Sequence, residues 1–183
     1  LINRPSAPYA ALIFAMFIWG GSFVALKIAF MSFHPFFVIF IRMALATIVF
    51  LPFMWKQVGK IRRKDVLWIL LMAFFEPCLY FIFEAKALVL TSASQAGMIT
   101  ALLPVLVSIP SAIFLHERIS RKTGIGFTIA IVGAVWLSLG GRSVEGSPNP
   151  VLGNFLEFLA MVCAAGYTVI LKKLSSSYSP LFL

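Results

Sequence analysis

The sequence predicts an all-α integral membrane protein with six transmembrane helices, and three observations predict it. The chain is 61% hydrophobic and 11% charged, against about 45–50% and about 25% in ordinary soluble domains. Its apolar residues fall into six runs, each near the roughly 20 residues that cross a hydrocarbon core. Its basic residues gather in alternate breaks between those runs, as topology signals do. A fold surrounded by water buries only part of its surface, whereas lipid accepts the apolar remainder. The mean hydropathy of +1.01 agrees.

The first run, Tyr9 to Phe30, is too long for the apolar region of a cleaved signal peptide. The second extends from about Pro35 to Trp55, and a basic loop follows to Asp65. The third, Val66 to about Leu90, carries Glu76-Pro77 near its middle, where a proline that cannot donate a backbone hydrogen bond disturbs a helix. A break at Thr91–Ser94 precedes the fourth run, about Gln95 to Leu115, and His116–Lys122 follows it. The fifth is Gly124 to about Gly140; a Gly/Pro/Ser loop leads to the sixth, Leu152 to Leu171, closed by Lys172-Lys173. No run alternates as a strand would, and open strands cannot sit in lipid.

With alternating loops, one side collects Arg4, Lys56, Lys60, Arg62, Arg63, Lys64, Arg118, Arg121, Lys122, Lys172 and Lys173, and the other keeps Arg142. That bias places the N-terminus in the cytoplasm and the protein in the cell (inner) membrane. The net charge of +9 is thereby assigned to anionic headgroups, not to nucleic acid. Cys78 and Cys163 lie inside apolar runs and imply neither a disulfide framework nor a metal site. No cofactor is expected.

The sixth run resembles the first. Ala15 to Lys27 aligns without gaps on Ala160 to Lys172, at an offset of 145 residues with six of thirteen positions identical. Five helices make one unit, so a copy starting at the sixth enters from the opposite face, the arrangement of inverted-repeat transporters. Chance similarity among membrane helices is the competing explanation. The expected organisation is a first repeat over 1–140, an external loop over 141–151 and the first helix of a second repeat over 152–183. A start at Leu1 and an end just past an apolar run predict a piece of a longer protein whose C-terminal half is missing.

An ordered set of short motifs then resembles the EamA-type branch of the drug/metabolite transporter superfamily. They are Trp19-Gly20-Gly21-Ser22-Phe23 through Lys27, Pro35 with Arg42, Ala87-Leu88 with Thr91–Ser94, Pro104, Glu117-Arg118, and Gly126 with Gly133. The resemblance implies ten helices in two inverted five-helix units around a central cavity. Glu76-Pro77 and Glu84 depart from the family's usual pattern.

Ionisable residues at membrane depth are functional candidates by default. At ~1.5 Å per residue, Glu76 falls roughly halfway through the ~30 Å core, where it suits a proton carrier or an attractor of cations; a packing-only pair is the plainer alternative. Glu84 lies two turns on along nearly the same face, with Tyr80 between, so that the three make a candidate polar stripe along a solute or ion pathway, to which Lys27 and Arg42 are candidate contributors; a salt bridge of Glu84 with Lys27, Arg42 or Lys86 is the plainer and favoured alternative. Glu157 is expected near the outer interface, snorkelling or paired. Trp19, Phe23 and Tyr167 are candidate cavity-lining aromatics, and Gln95 and Thr100 candidate polar contacts. Gly97 with Ala101, and the stripe Gly126, Gly133, Gly140, read as packing surfaces. His34 and His116 are isolated.

The expected function is a secondary transporter of small organic solutes (metabolite, amino acid or drug-like) working by alternating access, with Glu76 as candidate proton carrier. The chain has no P-loop pattern. An intramembrane lipid-modifying enzyme would need clustered ligands or nucleophiles, and a structural subunit would leave Glu76 unexplained; both alternatives stay open.

Overall fold

The computed structural model describes residues 6–55, 61–114, 120–140 and 146–179. Among these residues there is no β-strand, and the six runs appear as six spans long and apolar enough to cross a membrane. The first is α1 (Ser6–Ser32) and the second α2 (Pro35–Trp55). The third is composite: a 3-10 turn (Arg63–Asp65), α3 (Val66–Ala73), a wide turn (Phe74–Leu79) and α4 (Tyr80–Leu90). The fourth divides into α5 (Ala93–Thr100) and α6 (Leu103–Phe114). The fifth is α7 (Arg121–Gly140) and the sixth α8 (Pro150–Leu174). Arg4, Lys56, Lys60, His116, Glu117, Arg118 and Arg142 lie outside the described residues.

Both interruptions follow from proline chemistry. The ring of Pro77 crowds the residue before it out of the α region, and Glu76 adopts φ −141°, ψ 124°. Proline is tolerated in a helix's first turn, where its missing N–H has no intrahelical partner anyway. Pro104 sits there in α6, and the chain turns just ahead of it. At that turn Ala101 N–H donates to the Met98 carbonyl at 3.2 Å and Leu102 N–H to the Ile99 carbonyl at 2.9 Å. Those bonds satisfy backbone groups that a break would otherwise leave bare in lipid.

Side-chain caps fix the corners at the end of the bundle where α4 meets α5 and α8 begins. Gln95 N–H donates to the Ser92 hydroxyl at 3.2 Å, starting α5. Leu152 N–H donates to the Asn149 side chain at 3.2 Å, with Pro150 in the first turn of α8.

The sixth span is the hub. It packs on α3, the wide turn, α4, α5, α6 and α7. In its most apolar stretch 44% of residues are buried, against none in the corresponding stretches of α2 and α7, which face outward. The principal core cluster joins Tyr80 and Phe81 of α4 and Ile99 of α5 to Ala160, Met161 and Ala164 of α8. Small residues on α8 let the backbones approach. Gly153 is the closest case: a β-carbon there would stand 2.6 Å from Thr91 Cβ and 2.8 Å from Thr91 N.

The two predicted small-residue surfaces are not seams within the described chain. Gly97, Gly126, Gly133 and Gly140 meet no foreign atom within 4 Å of a built β-carbon, and Ala101 is exposed. These positions look away from α8, toward the periphery.

Candidate functional site

Two broken spans meet α8, and polar side chains collect around the breaks. Glu84 on α4 is 1% exposed. Its Oε1 accepts a hydrogen bond from the Tyr80 hydroxyl at 2.7 Å. Its Oε2 faces Arg42 Nη1 of α2 at 3.7 Å, an ion pair too long to be a hydrogen bond. The Arg42 guanidinium lies over the Phe81 ring, 4.6 Å from its centroid, a cation–π contact that helps hold it in a desolvated place. Of the three cationic partners that the sequence suggested for Glu84, Arg42 is the one in place.

Glu76 occupies the extended residue of the wide turn and is half-buried. Glu84, Arg42 and the half-buried Tyr167 of α8 lie within its electrostatic reach. Trp19 borders the same region through Tyr80.

Glu157 departs from expectation. An outer-interface residue that snorkels or pairs was anticipated, but its carboxylate is 0% exposed and neither oxygen has a hydrogen-bond partner. The cause is the central place of α8: the side chain faces α4 and Glu84, not lipid. The Thr100 hydroxyl lies beside it but donates to the Ala96 carbonyl at 2.9 Å.

Other candidates lie apart from this cluster. Phe23 is buried with Leu26, Leu88 and Ala96 in a separate apolar core, its ring centroid 6.5 Å from that of Trp19. Lys27 donates to the carbonyls of Leu88, of Thr91 at 2.7 Å and of Gly146 at 2.5 Å. A cation at the end of α4 complements that helix's dipole and its free carbonyls. Gln95 joins an outer network. The Thr91 hydroxyl stands 2.8 Å from the side-chain oxygens of both Gln95 and Asn154, and Asn154 Nδ2 donates to Gln95 at 3.2 Å and to Ser138 Oγ at 3.3 Å.

At the opposite end, the Tyr178 hydroxyl donates to Asp65 at 2.9 Å and accepts from Arg62 N–H at 3.1 Å, while Arg62 Nε donates to Asp65 at 2.6 Å. Lys173 lies over the Trp68 ring, 3.4 Å from its centroid. Both ends of α8 are thus tied to the third span.

Sequence reasoning names no role for Asn154, takes Thr91 only as part of a motif and a break between runs, and places Glu157 near the interface by counting depth along the helix. Its offset of three from Asn154, which puts both on one face, was the available signal. Beside the cluster an apolar cavity of about 480 Å³ opens between α6, α7 and α8, with Ser138 and Asn154 its polar lining.

Six apolar spans, two of them interrupted where charged and polar side chains gather, make an arrangement that membrane transporters use. Residues 7–139 match the EamA-like transporter family, and the chain belongs to that family. It is 30% identical over 99% of its length to the uncharacterized transporter YetK of Bacillus subtilis, covering 56% of that protein. It is 34% identical over 96% of its length to the uncharacterized transporter YcxC of the same organism, covering 57%. An uncharacterized transporter of Archaeoglobus fulgidus is 32% identical over 90% of the chain, which covers 57% of it. The chain therefore spans a little over half the length of these curated relatives. No solved structure matches it significantly.

Proposed function

We propose that this chain is part of a secondary transporter that moves small organic solutes by alternating access, acting as a carrier and not as an enzyme. The observation that carries the reading is the pair of interrupted spans, at Glu76-Pro77 and at Ala101-Leu102, that flank a cluster of Glu76, Tyr80, Glu84 and Arg42 against α8. Irregular backbone at membrane depth is tolerated where it is covered by protein or lines a cavity, and binding sites are commonly built there. The names of the three relatives above, all transporters, support the same class.

In this reading Glu76 exchanges a proton with one side of the membrane, since it is half-buried and Glu84 is enclosed. Trp19, Tyr167 and Thr100 border the solute path; Phe23, Lys27 and Gln95 hold its outer wall. The first repeat covers 1–140, the external loop 141–151, and 152–183 opens an inverted second repeat whose remainder completes the cavity. The N-terminus is cytoplasmic and the membrane is the cell's inner one, on the strength of the loop charges.

Solute uptake and efflux profiling with the full-length protein in liposomes, with and without a pH gradient, tests this. The expected result is saturable flux of a small organic solute that responds to the gradient and loses that response in Glu76→Gln. Flux in no solute class would overturn the carrier reading, and gradient-driven flux retained in Glu76→Gln would remove that residue's proton role. Sidedness is tested by cysteines placed at Arg62 and Arg121, which must label from the same face.

A further inference from the structure

We propose that Glu157 is a proton-binding site at the junction of α8 and α4, so that protonation of its carboxylate and docking of α8 are one event. As a coupling device it rests on the transport reading above; as a proton site it stands on geometry.

The argument is one of charge balance. Glu84 and Glu157 approach each other across the α4–α8 contact, each enclosed by the fold. Glu84 has a counter-charge in Arg42 and a hydrogen bond from Tyr80. Glu157 has neither: both its oxygens are enclosed without a hydrogen-bond partner, and the neighbouring Thr100 hydroxyl donates to the Ala96 carbonyl instead. An ionised carboxylate in that position has lost its water and gained nothing, which favours the neutral acid strongly. The titratable groups that act on it are Glu84 and Tyr80, both from α4, while Arg42 of α2 and Glu76 of the wide turn act on Glu84 or on each other. The helices α5 and α6 carry no titratable residue, and Arg121 and Lys122 of α7 sit at its exposed start. Among the described residues Arg42 is the cation paired with Glu84, and no ion pair reaches Glu157.

The chemistry is minimal. One proton adds to one carboxylate oxygen of Glu157 when α8 seats on α4, and leaves when the helices part and water replaces the apolar wall. On the facing helix Glu84 Oε2 is likewise without a hydrogen-bond partner. A proton on Glu157 thus stabilises the docked position of α8, and its loss favours the parted one.

Infrared pH-difference spectroscopy on the full-length protein in liposomes tests the proton directly, and it needs no transported solute. The expected result is a carboxylic-acid carbonyl band that titrates with pH, exchanges slowly with deuterated buffer, persists in Glu76→Gln and disappears in Glu157→Gln. An undiminished band in Glu157→Gln, or no such band in the unsubstituted protein, overturns the proposal and leaves the flux experiment above to judge transport by itself. Should Glu157→Gln not fold, Arg42→Gln decides: without its cation Glu84 takes a proton too, so the acid band grows about two-fold, and an unchanged band overturns the charge-balance argument. Docking is read at the buried Cys163 of α8 in a Cys78→Ser background. At alkaline pH, N-ethylmaleimide labelling there should run about tenfold faster than in Glu157→Gln at the same pH, each tenfold corresponding to 1.4 kcal/mol of opening; equal rates refute the link.

Discussion

Asn154 and Glu157 lie one turn apart on the same face of α8, are 2% and 0% exposed, and are built on opposite terms. Asn154 exchanges hydrogen bonds with Thr91, Gln95 and Ser138 across three helices. Glu157 has an enclosed carboxylate with no hydrogen bond. Burial by itself does not separate a structural polar residue from one kept for a task; satisfaction does, because an unpaired buried group costs its full desolvation. The outer network holds the corner of α4, α5 and α8 in one arrangement. The cluster beneath it is left short of partners, so its energy changes whenever a proton or an ion arrives.

The largest expected effect of breaking this contrast is at Arg42. Removing one member of a buried ion pair costs about 3–5 kcal/mol, and Arg42→Leu should fall toward the lower end, because its side chain keeps 38% exposure. Denaturant titration in detergent measures it. Arg42→Leu with Glu84→Leu should recover most of the loss; failure to recover would mean that Arg42 acts through its contact with Phe81 and not through charge.

Gly153→Ala comes next. The added carbon would meet backbone atoms of Leu90 and Thr91 at 3.0 and 2.8 Å, which cannot move aside as a flexible side chain does. Overpacking of this kind costs roughly 1–3 kcal/mol and should lever α8 off the outer corner, raising cysteine labelling near Asn149. Unchanged stability would show that the corner is looser than its distances imply.

Asn154→Leu sharpens the comparison at a smaller scale. It removes the bonds of Asn154 to Thr91, Gln95 and Ser138 while the Thr91–Gln95 contact at 2.8 Å stays, and interhelical hydrogen bonds in membranes average about 0.6 kcal/mol, so stability should drop by about 1 kcal/mol with the pH response of flux intact. Glu157→Gln should do the reverse, with little change in denaturation midpoint and loss of the pH response. If both variants behave alike, the division between a structural corner and a titrating cluster fails.

The six spans were legible because the hydrocarbon core demands long apolar runs, and loop charge and run length are local signals. The break at Glu76 was legible for the same reason, since a residue before proline leaves the α region whatever surrounds it. The pairing of Glu84 was half-legible: depth limited its partners to three cations, but only the packing of α2 on α4 selects Arg42. The role of Glu157 was not legible. Counting residues gave its depth but not its direction, and direction depends on α8 lying at the centre of the bundle, a long-range fact no window of sequence contains. Lys27 shows the same limit: its charge was visible, and the three carbonyls that receive it come from distant parts of the chain.

The smallest effect concerns two helix glycines that the fold uses differently. Gly153 is wedged against Thr91, whereas Gly133 on α7 has nothing within 4 Å of a built β-carbon. Glycine in a helix interior is less favourable than alanine by about 0.8–1.0 kcal/mol, so Gly133→Ala should raise the thermal stability of this chain slightly where Gly153→Ala lowers it. The regular spacing of Gly126, Gly133 and Gly140 still puts three positions without a side chain along one face of α7, each with open space around it. If Gly133→Ala stabilises the chain alone but destabilises the full-length protein, then a helix outside this chain packs on that face, and the stripe is a seam between halves and not within one.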